Sequence, residues 1–352
     1  MKCEFKLDNT IIREDSECFV IAEIGNNHQG NVKKCLDMIL AAKNSGASAV
    51  KLQKRNNKEL FTKEFYNSNY DNINSFGKSY GKHRDFLELG EDEYKEIINF
   101  CDSIGITFFC TPFDFSSLEF LEKINLKLYK IASADIDNLE LIREIAKTKK
   151  PIIISTGGSS YEEIESAKNE ICKYHRNFSI LQCTSQYPAE FNNLNLNVIT
   201  ELKKRYPENI IGYSGHDNGI AMAVAAYVLG ARIIEKHFTL NRTWKGTDQV
   251  FSLTPEGMRK MIRDLKRTKA AFGNSEKKLL ECEKKYLYKL KKSIKVINQL
   301  SKGTVIKREH LCFKCPGDGV SPSKVEHFIG KKVLRNIEKD SSIKYTDIED
   351  IK

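Results

Sequence analysis

The chain has 352 residues, of which 40% are hydrophobic and 30% are charged. This composition is typical of a globular protein and argues against a disordered or fibrous chain. No apolar run approaches the roughly 20 residues of a membrane-spanning helix, so we expect no membrane insertion. The length exceeds the roughly 250–300 residues at which a single core stops growing, and it predicts a large domain with a small one.

The net charge of +10 is unevenly distributed along the chain. Residues 274–352 contain 19 Lys and Arg against 11 Asp and Glu, so +8 of the excess lies in that segment. Its lysines alternate with glutamates, which indicates a solvated helix face or linker more than a phosphate-binding stripe. We therefore expect no nucleic-acid partner.

The ten cysteines are scattered without regular pairing, which predicts reduced thiols. The first residues lack the apolar core and cleavage site of a secretion signal, so we expect a cytoplasmic protein. Cys312 and Cys315 have C-x-x-C spacing. Neither a second pair for zinc nor a thioredoxin-like context is evident, and we interpret this spacing as incidental.

Eight short runs rich in Val, Ile, Phe and Leu predict β-strands in the first 240 residues. They are FVIAEI (19–24), SAVKLQ (48–53), ITFFC (106–110), LYKIA (128–132), PIIIS (151–155), FSILQC (178–183), NIIGYS (209–214) and ARIIEKH (231–237). The segments between them have helical periodicity, and several end at a glycine. Eight strand–helix units predict a (β/α)8 TIM barrel over residues 1–273.

Three further segments complete the predicted organisation. Residues 54–90 follow the second strand with polar, aromatic, Asn-rich sequence, and their length predicts a functional loop or lid. Residues 274–292 form a charged linker. Residues 293–352 contain short strands and Gly-bearing turns, which predict a small β-rich domain.

Polar or ionisable residues follow nearly every predicted strand, and in a TIM barrel these positions meet at the rim that carries the active site. Lys51 and Lys130 could neutralise Glu23 and Glu235 inside the barrel, or they could bind an anion. With nearby hydroxyl groups and the amides of the STGG turn, they would form a cradle for phosphate or carboxylate. The hydroxyl residues are Thr111, Ser133, Ser155 and Ser214. We expect a substrate that carries a phosphate.

His216 and His237 lie 21 residues apart, each just past a short apolar run. Two imidazoles at the ends of adjacent strands suit an open divalent site of the Mn, Mg, Co or Fe type, with water completing the coordination. The lack of an evident third protein ligand argues against a closed zinc site. Glu23, Glu235 and Asp248 are candidates for acid–base chemistry or hydroxyl binding, or they balance the charge of the lysines.

The ordered motifs of the chain resemble those of the sialic acid synthase family. These motifs are AEIGNNHQG, KLQK, TPFD, YKIASAD, ISTGG, QCTSQYP, GYSGHDNG, EKHFT and KGTDQVFSL. The resemblance extends to a C-terminal segment that looks like the antifreeze-like (SAF) domain of these synthases. It implies a transferase that condenses phosphoenolpyruvate with an N-acetylated amino sugar to give a nonulosonic acid. It also implies a divalent metal, with Mn²⁺ favoured over Mg²⁺ or Co²⁺.

The same resemblance implies roles for individual residues. His216 and His237 would bind the metal, and we assign catalysis to Glu23, Lys51 and Glu235. The sugar would contact Gln53, Tyr187 and Asp248. Phosphoenolpyruvate would be held by Lys51, Thr111, Lys130, Ser133, Ser155, Ser185 and Ser214.

Two positions depart from the family pattern. Family members carry an arginine, in an R-P-G motif of the C-terminal domain, that reaches the partner subunit's site and touches the acetamido group. Here the motif reads KCPGDG, so Cys315 takes the place of the arginine. Lys314 could substitute for it, or the sugar could differ. Ser185 stands where many members have asparagine. The resemblance further implies a domain-swapped homodimer.

Several alternatives stay open from the sequence. The sugar could be N-acetylmannosamine, its 6-phosphate, or a diacetamido-dideoxy hexose leading to legionaminic or pseudaminic acid. A keto-deoxy-octulosonate-type synthase is disfavoured by the C-terminal domain and the KGTDQ element. A non-catalytic carbohydrate-binding protein is disfavoured because Glu23, Lys51 and both rim histidines are present.

Overall fold

The computed structural model of the chain describes residues 3–7 and 10–349. The chain divides into two compact units, Met1–Gly273 and Asn274–Lys352. At the start of the first unit, β1 (Glu4–Leu7) pairs antiparallel with β2 (Thr10–Arg13). Sequence analysis did not predict these two strands.

Eight parallel strands then close into a barrel, which confirms the predicted (β/α)8 fold. They are β3 (Phe19–Gly25), β4 (Ala49–Lys54), β5 (Thr107–Pro112), β6 (Tyr129–Ile131), β7 (Ile152–Ser155), β8 (Phe178–Cys183), β9 (Ile211–Gly215) and β10 (Ile233–His237). The last strand, β10, pairs with both β9 and β3 and so closes the ring.

Amphipathic helices surround the barrel, with local sequence signals at their ends. The helices of the first unit are α1 (Val32–Asn44), α2 (Asn57–Leu60), α3 (Lys63–Asn67), α4 (Tyr80–Phe86), α5 (Glu91–Ile104), α6 (Phe115–Lys123), α7 (Leu139–Lys147), α8 (Tyr161–Cys172), α9 (Asn197–Arg205), α10 (Ala221–Val228) and α11 (Pro255–Phe272). Ser160 and Glu163 form a capping box at the start of α8. Gly105 ends α5 with a φ of 65°, a left-handed conformation that glycine adopts without strain.

Alternation along the strands separates the barrel interior into layers. The layer near the amino ends of the strands is apolar, and Phe5 of β1 packs against it. Its strand members include Phe19, Ile21, Ala49, Phe109, Ile153, Leu181 and Ile233. At the next inward position the strands instead carry Glu23, Lys51 and Glu235, all buried. Apolar packing therefore fills one end of the barrel, and charged groups gather at the other.

Lys236 of β10 points outward, toward the helices, and is 1% exposed. Its ammonium group donates to the carboxylate of Asp217 at 3.0 Å, and Tyr213 donates to the same carboxylate at 2.7 Å. Burial lowers the pKa of Lys236, and the charge of Asp217 opposes that shift. The pair therefore fastens β10 to the segment after β9.

Replacing Lys236 by methionine should leave Asp217 as an uncompensated buried charge. We expect the free energy of unfolding to fall by about 3–5 kcal/mol, measured by urea denaturation. Lys204→Met, at a side chain 71% exposed, should change it by less than about 0.5 kcal/mol. Equal stability of the two variants would contradict this role for the pair.

The long connection after β4 is a folded wall that includes α2, α3 and α4. Its aromatic side chains pack on one another, with ring centroids 4.6–5.5 Å apart in the contacts of Phe61, Phe65, Tyr70 and His83. The backbone amide of Gly246 donates to Asn74 Oδ1 at 3.1 Å, which ties the wall to the loop after β10. The structure thus places the predicted functional segment at the carboxyl end of the barrel.

The second unit has its own apolar core. Strand β11 (Ser293–Val296) pairs antiparallel with β12 (Leu311–Lys314), and Ile294, Ile306 and Phe328 are completely buried. The charged segment before β11 contains helix α12 (Glu281–Leu290), which buries no residue. Within the described ranges of both units, no helix is long and apolar enough to cross a membrane.

Candidate active site

A cavity of about 1030 Å³ opens at the carboxyl ends of the barrel strands. All the site residues predicted from the sequence line it: Glu23, Lys51, Gln53, Thr111, Lys130, Ser133, Ser155, Ser185, Tyr187, Ser214, His216, Glu235, His237 and Asp248. The volume is at the upper end of small-molecule sites, which leaves room for two small substrates together. The roles of the individual side chains remain predictions.

Lys51 lies at the centre of a buried charge network. Its Nζ is 2.8 Å from Glu23 Oε2, 3.8 Å from Glu235 Oε1 and 3.1 Å from Thr111 Oγ1. Burial alone would lower the pKa of Lys51, but the two carboxylates outweigh it and raise the pKa. Lys51 is therefore a fixed positive charge in the cavity floor.

Lys130 occupies a different electrostatic environment on the neighbouring side of the floor. Its Nζ donates to the backbone oxygen of Ile131 at 3.2 Å and contacts the Ser155 hydroxyl, and Glu235 Oε1 is 4.0 Å away. Burial lowers the pKa of Lys130, and the charge of Glu235 only partly opposes that shift. An anion that entered the cavity would restabilise the protonated form of this lysine.

The STGG turn after β7 brings hydroxyl groups to the same floor. The amide of Gly157 donates to Ser133 Oγ at 2.9 Å. A Cβ on Gly157 would lie 2.4 Å from Ser185 Oγ, so only glycine allows these hydroxyls to approach the turn. Ser214 donates to Glu235 Oε1 at 3.2 Å. The ion pairs of Lys51 and Lys130 with Glu23 and Glu235 therefore lie beside a set of hydroxyl groups, and anion binding by the two lysines stays a prediction.

His216 and His237 face each other across the rim, with ring centroids 5.4 Å apart. His216 Nδ1 lies 2.8 Å from the backbone oxygen of Thr184, so it carries the proton and leaves Nε2 with a free lone pair. Burial and the neighbouring His237 lower the pKa of His216 to about 3, which keeps the ring neutral. His237 Nδ1 is buried without a hydrogen-bond partner in the described part of the chain, 3.7 Å from Asp248 Oδ2.

These donors fit an open divalent site of the kind expected from the sequence. The two imidazoles would supply nitrogen ligands, and Asp248 lies beside one of them. Residues 3–7 and 10–349 contain no group of three or more His, Cys, Asp or Glu arranged to hold a metal ion. Any ion bound here would therefore keep positions for water or substrate, as catalytic metal sites do.

Several cavity residues were missed by sequence analysis. Arg55, Phe61, Tyr80 and Arg84 come from the wall after β4, and Asp135 follows β6. Burial raises the pKa of Asp135 to about 6, and its Oδ2 has no hydrogen-bond partner among the described residues. The YKIASAD motif, which ends at Asp135, could have indicated that residue. The alternation of Lys51 and Gln53 along β4 could have indicated Arg55, which continues it one residue past the end of the strand.

The fold and cavity define a (β/α)8 barrel protein with polar chemistry at its rim and a small separate β-containing unit. The chain belongs to the NeuB family, whose model matches residues 38–277, and a SAF domain matches residues 291–349. Both matches confirm the family and the C-terminal domain that the motifs indicated.

Named relatives cover most of the chain. Human N-acetylneuraminate-9-phosphate synthase is 37% identical over 93% of this chain and 91% of its own length. N,N'-diacetyllegionaminic acid synthase of Campylobacter jejuni is 35% identical over 92% of this chain and 98% of its own. The crystal structure of N-acetylneuraminic acid synthetase from Leptospira borgpetersenii has a TM-score of 0.71 and 33% identity, covering 81% of this chain and 95% of that one.

Proposed function

We propose that this protein condenses phosphoenolpyruvate with an N-acetylated hexosamine, N-acetylmannosamine or a close analogue, and water to give a nonulosonic acid and phosphate. One observation carries the proposal. Two buried lysines, two carboxylates and two histidines line a single cavity at the active end of the barrel. The names of the relatives, synthases of sialic and legionaminic acids, support it.

The phosphoenolpyruvate half of the site is the cavity floor. Lys51 and Lys130, with the hydroxyls of Thr111, Ser133, Ser155, Ser185 and Ser214, bind its phosphate and carboxylate groups. These fixed donors favour the charge that accumulates as phosphate leaves, without reorganising during the reaction. Glu23 and Glu235 hold the two ammonium groups in place.

The sugar half of the site lies toward the rim. Gln53, Tyr187 and Asp248 contact its hydroxyl and acetamido groups. His216 and His237 are the residues that would hold a divalent ion, with Mn²⁺ the favoured choice, and this ion would supply Lewis acidity at the sugar aldehyde. Both histidines line this half of the cavity.

The reaction balances without a further reactant. A bond forms between C3 of phosphoenolpyruvate and the aldehyde carbon of the open-chain sugar. Water adds at C2, and cleavage of the C2–O bond releases inorganic phosphate. Glu23, with its carboxylate beside Lys51 and Gln53, is placed in the floor to accept the proton of the water.

The sugar is not identified, because Cys315 takes the place of the family arginine that touches the acetamido group. Lys314, the other candidate for the acetamido contact, pairs with Asp340, and its pKa is raised by that contact. A diacetamido-dideoxy hexose, leading to legionaminic or pseudaminic acid, is the second candidate. We further propose a homodimer in which each C-terminal domain serves the partner's barrel, and monomeric behaviour of a fully active sample in light scattering would contradict it.

The direct test is phosphate release from phosphoenolpyruvate with Mn²⁺ and a panel of amino sugars. We expect release with at least one N-acetylated hexosamine, accompanied by a nine-carbon acid in the mass spectrum. Release that requires no sugar would indicate a phosphatase. No release across the panel would favour a carbohydrate-binding protein instead.

A further inference from the structure

The loop after β10, residues 239–253, carries Asp248 to the cavity, and we call it the Asp248 loop. Backbone hydrogen bonds close its base. The amide of Leu253 donates to the oxygen of His237 at 2.8 Å, and the amide of Thr239 donates to the oxygen of Leu253 at 2.9 Å. The loop therefore leaves the end of β10 and returns to the same point.

A buried glutamine joins the Asp248 loop to the turn after β3, the neighbouring strand in the barrel. Gln249 is completely buried, and its Oε1 accepts from Thr239 Oγ1 at 2.5 Å. Its Nε2 donates to the backbone oxygen of Asn27 at 3.0 Å. Asn27 lies four residues after Glu23 and is 2% exposed. Both ends of the Gln249 amide are thus used, one within the loop and one across to β3.

Asn27 continues these hydrogen bonds to the backbone of Asp248. Its Nδ2 donates to the backbone oxygen of Phe238 and to Ser252 Oγ, both at 2.9 Å. Ser252 is 2% exposed, and its Oγ donates to the backbone oxygen of Asp248 at 2.6 Å. Hydrogen bonds therefore run without a break from the turn after β3 to the residue that lines the cavity.

A network of this kind fixes a single arrangement of the loop. Each buried amide or hydroxyl group that moved away would leave a donor or an acceptor unpaired, whereas apolar contacts tolerate alternative packing. The carboxylate of Asp248 accepts from Thr247 Oγ1 at 3.0 Å and lies 3.7 Å from His237 Nδ1. Because a misplacement of about 1 Å can cost a hundredfold in rate, the position of this carboxylate matters to the reaction.

We propose that Asn27, Gln249 and Ser252 are positioning residues that hold Asp248 in the sugar half of the cavity. This inference rests on the proposed function and adds three residues to it. None of the three is among the residues that line the cavity, so they act through Asp248 and not on the substrate. They lie in the motifs AEIGNNHQG and KGTDQVFSL, where they had no assigned role.

The test is Ser252→Ala in the phosphate-release assay, with N-acetylmannosamine, or the sugar of the panel that reacts fastest, as the varied substrate. We expect the KM for the sugar to rise about tenfold, as for the loss of one buried hydrogen bond, with the KM for phosphoenolpyruvate unchanged. Ser252→Cys fills the same space with a weak donor and should give a smaller rise. It decides the test if Ser252→Ala does not fold.

Ser166→Ala is the matched control. Ser166 lies on the exposed side of α8, and its Oγ also donates to a backbone oxygen four residues earlier, that of Glu162 at 2.8 Å. The variant removes the same kind of hydrogen bond away from the cavity, so both KM values should equal those of the parent. A similar rise in the sugar KM of this control would overturn the specific role of Ser252.

A double-mutant cycle separates positioning from a general structural role. Asp248→Ala should itself raise the sugar KM. Adding Ser252→Ala should then change it by less than about twofold, because Ser252 acts through a side chain that is already gone. Effects that multiply in the double variant, or equal rises of both KM values in Ser252→Ala, would overturn the proposal and leave the proposed function intact.

If no sugar of the panel reacts, the proposed function fails, and amide hydrogen exchange decides the network separately. Ser252→Ala should accelerate exchange in the Asp248 loop by about tenfold, because the loop would open more often, whereas Ser166→Ala should not. Mass spectrometry of the full chain measures this exchange. Parental exchange rates in Ser252→Ala would show that the network does not hold the loop.

Discussion

Replacing Glu23 by glutamine should lower kcat by about 10²–10⁴-fold, the usual contribution of a general acid or base. The side chain is 1% exposed, ion-paired with Lys51 and hydrogen-bonded to Gln53 at 2.6 Å. Glutamine preserves the shape of the side chain but cannot accept the proton of the attacking water. The measurement is steady-state phosphate release at saturating phosphoenolpyruvate and sugar.

A matched control separates chemistry from folding in this experiment. Glu256→Gln makes the same substitution at an exposed residue of α11 outside the cavity, and we expect parental turnover from it. Circular dichroism and thermal unfolding of Glu23→Gln should show an intact barrel. Turnover within a few-fold of the parent protein would rule out Glu23 as the proton acceptor.

Loss of the proposed divalent ion should also lower turnover strongly. Chelation, His216→Ala or His237→Ala should each reduce turnover by about 10³-fold or more, because the aldehyde would lose its electrophilic activation. The parent should regain activity when Mn²⁺ is added back, whereas the two variants should not. Electron paramagnetic resonance of added Mn²⁺ measures binding independently of activity.

His175→Ala is the matched control for the metal experiment. His175 lies in the connection that follows α8, and its Nδ1 accepts from the amide of Asn177 at 3.2 Å. It does not line the cavity, so this variant should bind Mn²⁺ and turn over like the parent. Undiminished activity after thorough chelation, or normal Mn²⁺ binding by His237→Ala, would show that the two rim histidines have another role.

Local sequence patterns were sufficient to predict the barrel and many of the residues that line its cavity. Short apolar runs alternating with amphipathic segments specify strands and helices, and parallel strands place their carboxyl ends at one rim. The sequence therefore predicts that Glu23, Lys51 and Glu235 lie close together. Each follows an apolar inward residue at the two-residue spacing of a strand.

Other features depend on contacts between segments distant in the chain. The two-residue period places Glu235 and Lys236 on opposite faces of β10, but only the tertiary structure shows that Lys236 pairs with Asp217. The antiparallel strands near the amino terminus escaped prediction because they are short and their role is to pack Phe5 against residues from many strands.

The sequence by itself determined the fold class, the family and the chemical character of the cavity floor, since these follow from periodicity and from motifs local to each strand. The tertiary structure decided which charges are paired and which are free. In the sequence alone, Arg55 and Arg84 look like ordinary charged residues of a long polar insertion. Only the folded wall shows that both line the cavity and that one nitrogen of each guanidinium is buried without a hydrogen-bond partner among the described residues.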